Sequence, residues 1–370
     1  MKLKSLSIVN FKSHLEANYS FSKRIVCFTG NNGAGKTNLL DAIHYLSFCK
    51  SYFNAIDSQN IHHEQNFFVI QGFYDHNDGE SELYCGVKQG DKKRFKINKK
   101  DYQKLSDHIG KFPAVMISPY DRDLIGDGSD VRRKLMDSII SQLDKEYLQT
   151  LISYNRVLAQ RNALIKHMAA ERKINQSNLE IWDIQLAELA TNIRQKRLNF
   201  LEDFVQLFND YYRFISGSEE QVSVEFLDSV NGEDYTESLN ANFKRDMALE
   251  YTSVGAHKDD LIFLIEGKPI KKFGSQGQQK SYLVALKLAQ YEFLKRKSGK
   301  KPILLMDDVF DKLDQQRVSN ILKLVHDDVF GQVFITDTDS SRLEKLFKEN
   351  ELNAEIFEIK KQTVEQESIR

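Results

Sequence analysis

The apolar positions change their period twice along the chain. Near the N-terminus, "LKSLSIV" and "RIVCFT" read as strands, and "TNLLDAIHYLSF" has helical spacing at Leu39, Leu40, Ile43 and Leu46. The shorter segments "FFVIQGFY", "SELYCGVK" and "RFKIN" are β-like and are separated by the turn-formers "DHNDGE" and "KQGDKK". "AVMIS" predicts one more apolar strand, ended by Pro119. From about Ser129, glycine and proline nearly vanish and the spacing becomes heptad-like. Tyr147, Leu151, Tyr154 and Leu158 form one stripe. Leu179, Trp182, Leu186, Leu189 and Ile193 form a second, resumed by Phe200, Phe204, Leu207 and Tyr211. The polar "AAERKINQSN" between the stripes predicts a reversal, giving either an ordinary helical bundle or an antiparallel coiled-coil arm. Arg161 and Lys196 interrupt the stripes and predict a stubby arm, with Trp182 in its core.

After about Gln221 the β pattern returns in "VSVEFL" and "DLIFLIEG". A helix is predicted from about Gln278, then a buried strand "PILLMDD", a helix "QQRVSNILKLVHD" and a strand "GQVFIT". The ends are α/β and the middle is helical. The expected architecture is an α/β head built from both ends of the chain, residues 1–120 and 221–370, with a helical, short coiled-coil-like insertion at 121–220.

Composition narrows this little. In 370 residues, 41% hydrophobic and 28% charged content suits a globular chain with a sizeable core. A net charge of −1 excludes a global field drawing the protein onto nucleic acid or anionic membrane, so any such contact must be a local patch. Cys27, Cys49 and Cys85 show no metal-binding spacing and read as buried thiols of a reducing compartment. No signal-peptide core and no stretch of membrane-spanning length is present, so a cytoplasmic location without a membrane partner is expected.

Candidate chemistry begins at Gly30-Asn31-Asn32-Gly33-Ala34-Gly35-Lys36-Thr37-Asn38, which fits the phosphate-loop pattern G-x-x-x-x-G-K-[ST] between a strand and a helix. Glycines let backbone N–H groups cradle phosphate oxygens at the helix N-terminus. Lys36 is placed to reach the β- and γ-phosphates of ATP, and Thr37 to bind Mg2+. "ILLMDD" ends an apolar strand in two acids: Asp307 is the expected Mg2+ ligand and Asp308 the general base for the attacking water, their roles inferred from order alone. Ser275-Gln276-Gly277-Gln278 opens a helix just before that strand. It reads as an N-cap, or as a signature turn offering Ser275, Gly277 and Gln278 to a phosphate. "FDKLD", Asp311 to Asp314, follows the acids, and Asp314 is also a candidate N-cap.

The order of phosphate loop, helical insertion, S-x-G-Q turn and acidic strand resembles the ABC-type ATPases. Along essentially the whole length the chain resembles the RecF family of bacterial recombination and repair ATPases, in the SMC-like ABC class. The resemblance is carried by "LSIVNFKSH", "GNNGAGKTNLLDAIHYLS", "SPYDRDLIGDGSDVRRKLMD", "YNRVLAQRNALIK", "VGAHKDDLIFLIEGKPIKKFGSQGQQKS", "ILLMDDVFDKLD" and "QVFITDTD". It implies weak ATPase activity and an ATP-dependent homodimer in which the serine turn of one copy closes on the γ-phosphate held by the other, with "FDKLD" as the D-loop along the seam. It also implies binding to double- and single-stranded DNA at gaps, action with RecR- and RecO-type mediators, and loading of the recombinase RecA. The chain departs from the family at Asp41, where Glu is usual, and at Ala256 and Lys258, where Pro and Arg are commoner. Ser118 to Asp121 stands near the place of the Q-loop Gln, and Thr336 to Thr338 where many ABC proteins carry a switch histidine.

"KQGDKKRFKINKK" and "KRKSGKK" are candidate phosphate-backbone contacts or solvated hairpin and helix ends. Arg132 and Arg133 could bind DNA or form salt bridges; His257 could line the nucleotide site or be structural; Lys12 could reach the nucleotide or sit on the surface. Two rival functions are a transporter's nucleotide-binding subunit, which carries L-S-G-G-Q and needs a membrane partner, and a small-molecule kinase, which leaves the serine turn and the arm unexplained.

Overall fold

The computed structural model describes residues 1–76, 79–171, 175–217, 220–311, 313–326 and 329–360. The chain forms two compact units. One contains Met1–Asp121, Phe214–Gly217 and Leu286–Arg370; the other contains Arg122–Arg213 and Ser218–Ala285. Residues 221–285, expected in the head, thus group with the helical segment.

In the first unit, one sheet is antiparallel: β1 (Lys2–Phe11), β2 (His14–Ser20), β4 (Phe67–His76), β5 (Gly79–Lys88), β6 (Arg94–Ile97) and β7 (Lys100–Asp101), in the order β2-β1-β4-β5-β6-β7. The other is parallel: β3 (Ile25–Thr29), β8 (Ala114–Ile117), β12 (Ile303–Asp307), β13 (Val333–Asp337) and β14 (Ala354–Glu358), in the order β14-β3-β13-β12-β8. Strands β3, β8, β12 and β13 are buried along their whole length, as a parallel sheet covered on both faces requires. Helix α1 (Lys36–Phe48) packs against strands of both sheets. Its Leu39, Leu40, Ile43 and Leu46 are fully buried, each contributing roughly 2 kcal/mol of apolar burial. In β4, Gly72 permits this approach, because a Cβ there would lie 2.6 Å from Leu46 Cδ1. Helices α10 (Gln315–His326) and α11 (Ser340–Glu349) complete the unit.

The second unit holds α2 (Asp123–Gly126), α3 (Ser129–Leu143), α4 (Lys145–Glu171), most of α5 (Glu180–Ser216), α6 (Tyr235–Ala241), α7 (Phe243–Leu249) and α8 (Ile270–Phe273). It also holds the antiparallel sheet β11 (Lys268–Pro269), β10 (Asp260–Ile265) and β9 (Val222–Leu227). Helix α9 (Gln276–Ser298) begins here and ends in the first unit. Helix α3 packs on β10, which explains why residues after 218 cluster with the helices.

The charges expected to cut the arm short do not do so. Arg161 on α4 is fully buried, donating to Asp183 of α5 and, at 2.6 Å, to Asp246 of α7. The buried stripe starts at Leu179, just before α5, and runs along that helix through Asp183, Leu186, Ala190, Ile193, Arg197 and Phe200. The polar core position is thus Arg197, not Lys196. Arg197 donates to Asp137 at 2.9 Å and to Asp259 at 2.8 Å, while Lys196 reaches Asp144 at 2.6 Å. A buried cation is tolerated when acids satisfy it, so α4 and α5 reach 27 and 37 residues. Trp182 is only half-buried, because Asp183 takes the inward position. Part of the expected reversal, residues 172–174, lies outside the described residues.

Three histidines are held neutral by burial. His44, His108 and His257 are each pushed from 6.5 to about 4. They bind protons only on unfolding, so their contribution is present above about pH 6.5 and lost as pH falls toward 4. Melting temperatures at pH 7, 6 and 5 are expected to fall in that order. His108→Gln, which cannot protonate, is expected to flatten the slope.

Candidate functional site: a phosphate loop beside paired acids

The site sits at the carboxyl ends of the parallel strands, where open α/β sheets bind ligands. Strand β13 lies between the strand that enters the phosphate loop and the acidic strand. Its register aligns Thr336 with Phe28 on β3 and with Asp307 on β12. Three strand ends therefore finish at one level, and α1 starts beside them.

Gly30, Gly33 and Gly35 all have positive φ. At Gly30 (φ 137°) a Cβ would sit 2.3 Å from the Ile359 carbonyl. At Gly35 (φ 103°) it would strike Ser13 Oγ at 2.6 Å and His14 Nε2 at 2.7 Å. Only glycine fits either place. Asn31, Asn32 and Gly33 are exposed, and Ala34 and Gly35 are buried. Lys36, only 5% exposed, donates to the carbonyls of Gly30 at 2.7 Å and Asn31 at 3.1 Å. Its ammonium is thus held over the loop's concave side. The Asn38 amide donates to Ser13 Oγ at 2.7 Å, so in this arrangement it faces the β1–β2 turn. His14, which no sequence signal marked, bonds the Gly35 carbonyl at 3.1 Å.

Asp307 is 3% exposed, and one of its oxygens, Oδ1, accepts two hydroxyls: Thr37 Oγ1 at 2.8 Å and Thr336 Oγ1 at 2.8 Å. Burial raises its pKa, a shift that these hydroxyls, Lys36 and Ser118 only partly offset. Asp308 takes a left-handed backbone, φ 45°, and its N–H donates to Thr336 Oγ1 at 3.0 Å. Burial and the neighbouring Asp307 raise the Asp308 pKa, as suits a proton acceptor. Thr336 therefore ties both acids together from the position where a switch histidine was sought.

Around this centre, Asp41 is fully buried and pairs with Lys12 at 2.6 Å, while accepting from Ser51 Oγ and the Tyr52 N–H, each at 2.7 Å. Lys12 is thereby committed to an acid. Asp121 accepts from the Ser118 N–H at 2.7 Å and the Tyr52 hydroxyl, and pairs with Lys287 at 2.8 Å. Among the described residues, no group of three or more His, Cys, Asp and Glu could hold a metal alone. A hydroxyl and one carboxylate beside a phosphate loop nevertheless suit Mg2+, which keeps waters and phosphate oxygens as its other ligands.

The serine turn lies in the second unit. Ser275 is exposed, and its Oγ accepts from the Gln278 N–H at 3.2 Å, while Gln278 Oε1 accepts from the Ser275 N–H at 2.7 Å. This reciprocal capping box opens α9. Gln278 also donates to Glu220 at 2.7 Å, so its side chain is engaged within the chain. Half-buried Gly277 lies in the first turn. At the start of α10, Asp314 Oδ1 accepts from the Arg317 N–H at 2.9 Å, the N-cap expected there. Lys312 of "FDKLD" lies outside the described residues.

The remaining candidates make contacts within the second unit. Arg132 forms a two-pronged pair with Asp260 at 2.7 and 2.9 Å, and Arg133 donates to the Asp259 carbonyl at 2.6 Å. His257 bonds the Tyr154 hydroxyl at 2.6 Å and the Thr252 carbonyl at 3.0 Å. Exposed Lys258 lies over the Tyr251 ring at 4.6 Å. The three cysteines are buried and free. No helix among the described residues is long and apolar enough to cross a membrane.

Residues 2–364 match the RecF/RecN/SMC N-terminal domain. The chain is 50% identical to the DNA replication and repair protein RecF of Flavobacterium johnsoniae over 97% of this chain and 100% of that protein. It is 49% identical to RecF of Bacteroides thetaiotaomicron over 97% of each chain. A solved structure of the recombination mediator protein RecF with ATP superposes with a TM-score of 0.85 at 32% identity, covering 92% of both chains. The Smc head domain of Pyrococcus furiosus, at 16% identity and a TM-score of 0.56 over 97% of this chain and 94% of that one, shares the fold. The chain belongs to the RecF family of DNA replication and repair proteins, with the ABC-type ATPase fold of that group.

Proposed function

We propose that this protein is an ATP-driven dimer switch that binds DNA during recombinational repair. The observation that carries the reading is the linked set Thr37–Asp307–Thr336–Asp308 beside a phosphate loop. Bound ATP supplies the phosphoanhydride to be cleaved, and Mg2+ offsets the charge of its β- and γ-phosphates. Lys36 exchanges the Gly30 and Asn31 carbonyls for phosphate oxygens, and the loop N–H groups of Gly33 to Thr37 cradle the rest, with Asn31, Asn32 and Asn38 on the rim. Thr37 and Asp307 are the residues that would hold Mg2+. Asp308, its carboxylate proton affinity raised, takes the proton of the attacking water.

In this reading, Ser275, Gly277 and Gln278 of one copy face the γ-phosphate held by a second. Exposed Ser275 has a hydroxyl hydrogen free to donate, because its oxygen is the acceptor in the capping box. Hydrolysis then separates the copies. We read its substrate as double- and single-stranded DNA at gaps, its partners as RecR- and RecO-type mediators and RecA, and its location as the cytoplasm; the support for this is the likeness to DNA replication and repair proteins.

Light scattering with and without ATP, together with DNA binding at several salt concentrations, tests the proposal. Wild type is expected to dimerise with ATP and to bind DNA more tightly in that state. Ser275→Arg is expected to keep ATP affinity within about twofold while losing the dimer, since it leaves the phosphate loop's own residues unaltered and puts a bulky cationic side chain into the proposed seam. A Ser275→Arg protein that pairs like wild type would refute the shared site.

A further inference from the structure

The antiparallel sheet concentrates positive charge at its β5–β6–β7 edge. Between Lys88 and Lys104 the sequence holds eight lysines or arginines against two aspartates, in a chain of net charge −1. Lys88, Lys92, Arg94, Lys99 and Lys100 are exposed. The register gathers them: Arg94 lies opposite Gly86, Lys96 opposite Tyr84, and Lys100 opposite Ile97. Phe95 points into the core, so Arg94 and Lys96 project from the outer face.

The two acids oppose this charge weakly. Asp91 pairs with Lys88 at 3.6 Å and Asp101 with Arg94 at 3.3 Å, with all four side chains about half exposed or more, so both pairs are screened. In the other basic cluster, by contrast, Glu292 accepts from Lys295 at 3.1 Å and Arg296 at 2.8 Å. Charges on an edge strand also discourage strand addition, but that accounts for β7 and not for cations on the 88–92 loop and the outer face. Lys93 turns inward, 15% exposed, donating to the Cys49 carbonyl at 2.6 Å and pairing with Asp57 at 2.8 Å. It fastens the basic loop to the C-terminal end of α1.

We propose that the β5–β7 edge is a docking surface for the phosphate backbone of duplex DNA. This rests on the reading that the protein acts on DNA, and adds where the backbone lies. Single strands are held by bare aromatic faces on which bases stack. On this strip the Tyr84 ring is covered by Lys96, whose Nζ is 5.6 Å from its centroid, which leaves phosphate contact as the strip's chemistry.

The test measures binding of a blunt mixed-sequence duplex and of its single strand against salt, with ATP present, for the full chain. Each phosphate-contacting cation contributes about 0.9 to the slope of log affinity against log salt. Lys92→Ala/Arg94→Ala/Lys96→Ala is expected to lower the slope for the duplex by about 2 to 3, with ATP affinity unchanged. Asp101→Asn is expected to tighten duplex binding, a gain that misfolding cannot produce. Lys93→Met, checked for folding by circular dichroism, is expected to leave the slope as it was. A triple variant with the wild-type slope, or a slope lost only for the single strand, overturns the proposal. A wild-type protein that binds no DNA overturns the functional reading beneath it instead.

Discussion

Replacing Lys36 by alanine is expected to weaken ATP binding by about 100-fold or more, roughly 2.7 kcal/mol. Loop N–H groups and a helix terminus remain in that variant, but the only full positive charge built into the loop is gone. The wild-type ammonium is already held above the loop by the Gly30 and Asn31 carbonyls. Little side-chain entropy is therefore lost when phosphate oxygens replace those acceptors. A thermal shift assay reads the result. At a nucleotide concentration about 100 times its dissociation constant, wild type should gain about 2.7 kcal/mol of stability. Lys36→Ala at the same concentration should gain almost none, while melting normally without nucleotide. An undiminished shift would remove this lysine from the binding site.

Asp308→Asn is expected to bind ATP, to hydrolyse it about 100- to 10,000-fold more slowly, and to remain dimeric once paired. The substitution isolates chemistry from structure unusually well. Asp308 sits at φ 45°, a conformation asparagine adopts readily, and its bond to Thr336 is made by the backbone N–H. The amide keeps the shape and removes only the proton acceptor. The pH dependence gives a second check. Burial and the nearby Asp307 raise the Asp308 pKa above its ordinary 3.8. The wild-type rate should thus climb with pH through an inflection above that value, as the base loses its proton. The residual rate of Asp308→Asn should lack that inflection. A variant that turns over normally would hand the base role to another group.

Features formed within a few residues were legible in advance. The strand–loop–helix around Lys36 needs glycine at positive φ, and the glycines are there. The Ser275 and Asp314 caps follow from spacing alone. The heptad stripe was legible too, but its reading failed where a charge took a core position. Arg161 looked like an interruption and Arg197 went unmarked beside Lys196 because their acids lie elsewhere: Asp183 and Asp246 for one, Asp137 and Asp259 for the other. Within the basic hairpin nothing local separates Lys93 from Lys92, yet only Lys93 finds Asp57 and the end of α1.

By itself the sequence determined that a phosphate loop opens a buried helix, that an apolar strand ends in two acids, and that a capped helix begins with a serine. Hydrophobic period and local hydrogen bonding act over a turn or a strand, so they are written in adjacent residues. Only the tertiary structure decided that Thr336 joins Asp307 to Asp308, that Asp41 claims Lys12, and that residues 218–285 group with the helices. Those outcomes depend on the register between strands far apart in the chain and on which face a helix turns inward. Burial energy summed over the whole unit fixes both, and no single segment carries that sum.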